Sequence, residues 1–470
     1  MIRRAVGALD QRTGAGSILA KALRYAFPDH WTFLFGEIAL YSFLILIGTG
    51  IYLTLFFEPS TSQVVYHGAY APLRGQEVSK AYQSALDLSF NVRAGLLIRQ
   101  VHHWAALTFV AAIVVHLMRI FFTGAFRKPR DVNYYVGLTM LMLAVLEGYA
   151  GYSLLDDLLS GMGLAIGNAV ALSVPFAGGQ LGTLIWGGRF PGTEAFMSRL
   201  FIAHVLLLPV AIGSLIAVHL AMVAAPHHSQ FRGRGRKESN VVGSPLWPAY
   251  ALRSLGLFAA VAAVLFALGG LVQINPIWQW GPYEPYLGTN GAQPDWYLGW
   301  LIGALRLMPH FDLTIGSYTV VPNPFWGGVV FPLVVFGFLF AWPSIERRRT
   351  GDRAQHNLLD RPRDNPRRTA IGVALFAWVA TIFFAGSADR AFVQLGVPYE
   401  GQLWGYRAAS ILIPIAAYFF TRRVCERLRE SDGHPGRGSG PRVLARNREG
   451  GFAESSPGVA APGVAEPDRG

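Results

Sequence analysis

Cysteine is almost missing from this 470-residue chain, where Cys425 stands alone. One thiol excludes intramolecular disulfides, and with them a secreted scaffold held by bridges. It also excludes a zinc or iron–sulfur centre ligated by several cysteines of this chain. No C-x-x-C-H run is present, so covalent c-type haem attachment is excluded too. Charge is equally scarce: 14% of residues are Asp, Glu, Lys or Arg, against roughly 25% in soluble domains. By contrast 52% are apolar and 13% aromatic, which excludes an ordinary cytosolic enzyme and reads as an integral membrane protein. Acidic residues are the scarcer sign, 28 against 40 Lys and Arg. The formal charge of +12 raises nucleic acid as a partner. The cations, however, sit between apolar runs, where lipid headgroups and the cytoplasm receive them, so membrane lipid and no nucleic acid is expected.

Apolar runs near the 20 or so residues that cross a bilayer fall at 32–57, 101–123, 134–153, 200–225, 252–273, 325–343, 369–387 and 406–421. The fold class expected is an all-α integral membrane protein of about eight transmembrane helices, an N-terminal four-helix bundle followed by a four-helix C-terminal part. Met1 to Arg24 carries charges and no apolar core before a cleavage site, so no signal peptide is expected to be removed. Of the 40 Lys and Arg, 31 lie in the N-terminal segment, in 119–132, 226–253 and 344–369, and beyond Thr421. Positive charge is retained inside, so both termini are expected in the cytoplasm. The connections 155–195 and 276–322 then lie on the outer side. After Arg429 the chain turns rich in Gly, Pro, Arg and Ser, and disorder is expected. The divisions are 1–230 for the first bundle, 231–423 for the second part and 424–470 for the tail.

Ionisable residues inside a span are costly and mark function. The second run carries His102, His103 and His116, and the fourth carries His204 and His219. His102 and His116 are about 21 Å apart along a helix, within roughly 40° of one face. His204 and His219 are about 22 Å apart, within roughly 60°. Two helices running the same way, each with a histidine near either end, can clamp two stacked flat ligands. The spacing therefore indicates two non-covalent b-type haems, His102 with His204 on the outer iron and His116 with His219 on the inner iron, with no open coordination position. His103 is one residue off that face and reads as a neighbour. Gly36 and Gly50 repeat the 14-residue interval on the first run, and Gly137 and Gly151 on the third. Helices flanking a porphyrin need such bare positions where its edge passes. Arg99, Arg119 and the indole of Trp31 are candidate partners for haem propionates.

With these histidines and glycines stand R-Q-V-H at Arg99 to His102, G-Y-S-L-L-D-D at Gly151 to Asp157, W-G-G at Trp186 to Gly188 and P-D-W-Y at Pro294 to Tyr297. From Trp31 to about Arg390 the chain resembles the cytochrome b subunit of cytochrome bc complexes, the quinol:cytochrome c oxidoreductases. The wording around D-H-W, L-L-S-G and Q-P-D-W-Y is most similar to the actinobacterial type. The resemblance implies a respiratory enzyme of the bacterial inner membrane, coupled to proton translocation. It oxidises quinol, menaquinol by the actinobacterial likeness, at an outer site and reduces quinone at an inner one. It implies a Rieske-type iron–sulfur protein and a cytochrome c subunit as partners, a homodimeric complex and association with a terminal oxidase. Asp295, in a proline-fixed turn with Pro294, Trp296 and Tyr297, suits the proton acceptor of the outer site. Tyr152 is a polar partner there, and Gly163 falls where close approach to the quinol pocket is needed. His227 and His228, just beyond the fourth span, suit proton delivery to quinone.

Three departures from the family pattern stand out. Leu155 replaces the usual proline of G-Y-S-L-P, Asp295 replaces the commoner and longer Glu, and no cysteine near the first span could hold an extra haem. Two other readings use the same histidines: the di-haem membrane anchor of a dehydrogenase, which needs no P-D-W-Y half, and a proton-coupled transporter, which would be colourless.

Overall fold

The computed structural model describes residues 16, 23–287, 294–387, 394–433, 443–446 and 452–455. Among them are eight helices long and apolar enough to cross a membrane: Trp31–Thr54, Gly95–Thr123, Asp131–Leu155, Ala195–Ala224, Leu246–Leu271, Trp326–Thr350, Pro366–Gly386 and Tyr399–Ser431. Number and order follow the apolar runs, whereas several ends do not. The second span begins six residues before the run read at 101, which takes Arg99 into the helix. The eighth continues well past 421 as part of a helix to Gly433, because charged residues propagate a helix beyond the apolar core; Arg422 and Glu426 pair across one turn at 2.8 Å. In the tail read as disordered, Val443–Arg446 and Phe452–Ser455 pair as antiparallel strands, and most of the remainder lies outside the described residues.

The first four spans form a bundle whose middle is apolar. Phe109, Ala144 and Ile212 are buried there, with Phe43 packed against them. Phe43, Phe109 and Ala144 each lie midway between the paired glycines or histidines of their own span. The rings of Phe43 and Phe109 meet at 5.6 Å.

The basic connections converge on one face. Strand Ala26–Phe27 pairs with Ser244–Pro245, and Gln230–Phe231 pairs with Leu358–Leu359. Arg130 donates to the carbonyls of His227 and His356 at 2.7 and 2.8 Å. Arg368, 1% exposed, bridges Glu346 at 2.8 Å and Asp360 at 2.7 Å. On the opposite face, residues between the first two spans form a hairpin of Gln63–Val65 with Glu77–Ser79 and the helix Lys80–Phe90. Tyr66, Tyr82 and Leu86 there close on Ile277. Leu155 packs against the same cluster, so the residue in place of proline serves as an apolar anchor.

The connection 155–195 carries a surface helix, Leu158–Leu172, which Asp157 caps by accepting the Ser160 N–H at 3.3 Å. The connection 276–322 carries the helix Trp296–Leu307. A Cβ at Gly303 would strike the Ile382 carbonyl, and one at Gly386 the Gly299 carbonyl. Bare positions thus let this short helix lie directly on the seventh span.

Candidate functional site

The four histidines meet in pairs at two depths. Ring centres are 6.3 Å apart for His102 and His204, and 6.4 Å apart for His116 and His219. An imidazole nitrogen binds a metal at about 2.0 Å and lies about 1.1 Å from its ring centre, so two axial imidazoles on one metal stand about 6.2 Å apart. Both pairs therefore fit one iron each. The 14- and 15-residue spacings agree because His204 lies in a π turn, Ala203–Leu207, which absorbs one extra residue. Pro209, lacking an N–H to donate back to Val205, favours the wider turn there. The same register recurs at Trp326–Val330 before Pro332.

The glycines face the imidazoles themselves. A Cβ at Gly36 would lie 3.1 Å from His116 Cε1, and one at Gly50 would lie 3.4 Å from His102 Cε1. At Gly151 it would collide with the His204 ring, and at Gly137 it would stand 4.0 Å from His219. The glycines thus stand against the Cε1 edges of the imidazole rings, at the depths their spacing implies.

Two guanidiniums are buried beside these layers. Arg99 donates to the Asn275 carbonyl at 3.2 Å and Arg119 lies over the Phe33 ring at 4.7 Å. The Nε of each lacks a hydrogen-bond partner, which suits an anionic group such as a propionate at each depth. Trp31 is 67% exposed at the mouth of the first span, stacked on His30 at 6.0 Å. Glu147, on the third span, places Oε1 3.0 Å from His204 Nδ1. The histidine-centred reading of the sequence passes over Glu147. The cost of a carboxylate inside a span was the signal for it, as for Glu37, which accepts from Tyr250 at 2.5 Å and Ser254 at 2.7 Å.

On the face opposite the basic connections Asp295 occupies the N-cap position of Trp296–Leu307, yet its side chain makes no cap bond. Its two oxygens lie 2.8 and 2.9 Å from His103 Nε2, and the Tyr297 hydroxyl donates to Oδ2 at 3.3 Å. His103, the neighbour of the paired His102, is therefore part of this site. Adjacent residues on a helix point about 100° apart, which leaves His103 free to face another element. Pro294 is half-buried, Trp296 exposed at 37% and Tyr297 buried against Gly148. The Tyr152 hydroxyl donates to the Leu159 carbonyl at 2.7 Å, within electrostatic reach of Asp295. The room left at Gly163 is taken by the Tyr152 ring, 2.9 Å from an added Cβ. Asp156 and Asp157, beside this site, are both pushed up to about 6 by burial.

On the face where the basic connections converge, the Tyr25 hydroxyl lies 3.3 Å from His228 Nδ1, and its ring stacks on His227 at 5.1 Å. Phe27 lies 4.8 Å from His228 and stacks on Tyr250 at 3.9 Å. Burial, then the nearby Arg130 and Arg119, push His228 down to about 4. It is thus a neutral imidazole at pH 7.

A family model described as cytochrome b (N-terminal)/b6/petB matches residues 107–282. The cytochrome bc1 complex cytochrome b subunit of Mycobacterium bovis is 49% identical over 425 residues, 90% of this chain and 77% of that protein. Those of Corynebacterium diphtheriae and Streptomyces coelicolor are 48% and 45% identical, each over 90% of this chain and over 78% and 77% of their own lengths. A solved chain of a hyperthermophilic respiratory complex III shares the fold, with TM-score 0.66 and 20% identity over 90% of this chain and 99% of its own. With about half its residues matched across most of three actinobacterial relatives, this chain belongs to the cytochrome b subunits of the cytochrome bc1 complex.

Proposed function

We propose that this subunit oxidises menaquinol at the outer site and serves quinone reduction at the inner one, with net proton translocation. The observation that carries the reading is the pair of imidazole gaps, 6.3 and 6.4 Å, at two depths of one bundle. His102 with His204 and His116 with His219 are the residues that would hold two b-type haems, with Arg99 and Arg119 toward the propionates. When bound, such groups supply one-electron carriers near either face of the membrane.

At the outer site Asp295 accepts a proton from a quinol hydroxyl. Tyr297, on the same carboxylate, orients it. Tyr152 and Gly163 form the wall on the surface-helix side, and Pro294 with Trp296 closes the turn. At the inner site His228 is neutral and passes a proton rather than storing one, with Tyr25 within reach and His227 beside it. The partners of this reading are a Rieske-type iron–sulfur protein and a cytochrome c subunit, in a homodimeric complex associated with a terminal oxidase. The setting is the bacterial inner membrane, with both termini in the cytoplasm, which the convergence of the basic segments on one face supports.

The test is a reduced-minus-oxidised spectrum with haem quantification on the purified complex. Two b haems per polypeptide are expected, and one or none rejects the reading. In His116→Ala the inner haem should be lost and the outer retained. A colourless protein would favour the transporter.

A further inference from the structure

We propose that His103 is a positioning residue of the outer quinol site, fixing the carboxylate of Asp295 where the hydroxyl proton of quinol is received. The inference rests on the outer-site reading given above for Asp295. Its independent support is geometric. His103 Nε2 meets Asp295 Oδ1 at 2.8 Å and Oδ2 at 2.9 Å, across 192 residues of sequence. Both side chains are only 15% exposed, so the contact is partly desolvated and stronger than a surface pair.

Asp295 gives up the ordinary use of an aspartate at its position. It stands at the N-cap of Trp296–Leu307 with extended ψ of 145°, and its side chain caps nothing. The carboxylate turns to the second span instead. A carboxylate offers about four acceptor positions, and His103 with Tyr297 use both oxygens while leaving room for a further donor. A quinol hydroxyl is such a donor. The shorter side chain of Asp also acquires a reason. A Glu at 295 would carry its oxygens about one methylene further, into the ring of His103 or past it.

The placement matters because His103 follows His102 directly. The imidazole that faces the outer pair and the imidazole that grips the proton acceptor belong to adjacent residues of one helix. The carboxylate is thereby held in fixed relation to the place where electrons leave the quinol, and a misplacement near 1 Å costs about a hundredfold in rate.

The holo complex is assayed with a short-chain menaquinol as donor, with kcat and KM measured separately and haem content read from the reduced-minus-oxidised spectrum. His103→Leu is expected to lower kcat about 10- to 100-fold with both haems retained. His103→Gln, whose amide nitrogen reaches the place of Nε2, should restore most of the loss. Asp295→Asn should be at least as damaging as His103→Leu, and the double variant no worse than Asp295→Asn alone, because the two changes remove one interaction. A merely structural contact would instead lower stability while leaving kcat and the Gln rescue flat. The inference is overturned by normal kcat in His103→Leu, or by additive losses in the double variant. If the Leu variant does not assemble, His103→Asn replaces it, since its amide stops short of Asp295; equal kcat in the Asn and Gln variants then overturns the inference. An active Asp295→Asn would sink the outer-site reading itself. A crippled Asp295→Asn beside a normal His103→Leu would sink only the role of His103.

Discussion

Gly151 and Gly137 sit on one helix, each against the ring of a paired histidine, but they leave different margins. A methyl at Gly151 would overlap the His204 ring, while at Gly137 its nearest atom is His219 Cε1 at 4.0 Å, an ordinary contact. Gly151→Ala is therefore expected to displace His204 and lower outer-haem occupancy, and Gly137→Ala to leave both haems in place. Haem per polypeptide, split between the two spectral components, measures the difference; equal losses would refute the assignment. The imidazoles are also unequal in their other contacts. Glu147 Oε1 lies 3.0 Å from His204 Nδ1, whereas His116 and His219 have the Arg119 guanidinium within electrostatic reach. A carboxylate behind a metal-bound imidazole raises the basicity of the ligand and favours the oxidised metal. Glu147→Gln should raise the potential of the outer haem, by about 59 mV for a tenfold change in the one-electron equilibrium, and leave the inner one unmoved in a redox titration.

A helix with one surplus residue must hide it somewhere, and the fourth span hides it in the π turn Ala203–Leu207. Deleting Leu207 should let that turn tighten to α geometry and keep His204 and His219 on one face. Deleting Ala217 instead swings His219 about 100° relative to His204. The first variant is expected to retain two haems and the second to lose the inner one, by spectral quantification. The sequence alone makes the spans and the histidine pairing legible, because hydropathy and a repeated 14-residue interval are local signals. It leaves the π turn illegible, since the two spacings differ by one residue and both fall near one face. The His103 and Asp295 contact is equally hidden, because 192 residues separate two side chains with no shared periodicity. The subdomain between the first two spans escapes a reading built on long apolar runs, since Tyr66, Tyr82 and Ile277 close a small core with none.

The whole molecule presents two unlike faces to water, and pH should separate them. On the basic face His228 falls from 6.5 to about 4, so the unfolded segment binds more protons between those values. Its stability is full above 6.5 and is lost as pH falls toward 4. On the opposite face Asp156 and Asp157 rise from 3.8 to about 6. Their contribution is full below 3.8 and is lost as pH rises through 6. From pH 4 to 6.5, hydrogen-exchange protection corrected for intrinsic rate should therefore rise around His228 and fall around Asp157. A common trend on both faces would contradict this. The basic face owes its closure to a second feature. Arg368 is buried between Glu346 and Asp360, Asp360 also meets Arg127 at 3.1 Å, and a Cβ at Gly124 would press on the guanidinium at 2.7 Å. Two connections, 119–132 through Gly124 and Arg127 and 344–369 through Asp360 and Arg368 itself, thus meet on one cation. Removing it leaves Glu346 without its counter-charge and Asp360 with Arg127 alone, and breaking a buried pair costs about 3–5 kcal/mol. Arg368→Met, close in length but uncharged, should lower the thermal midpoint of the detergent-solubilised complex. Arg361→Met should not, since Arg361 pairs with Asp364 at the surface, 49% exposed, where an ion pair contributes about 0–1 kcal/mol. Equal midpoints for the two variants would mean that the basic loops are held by their strand pairings alone.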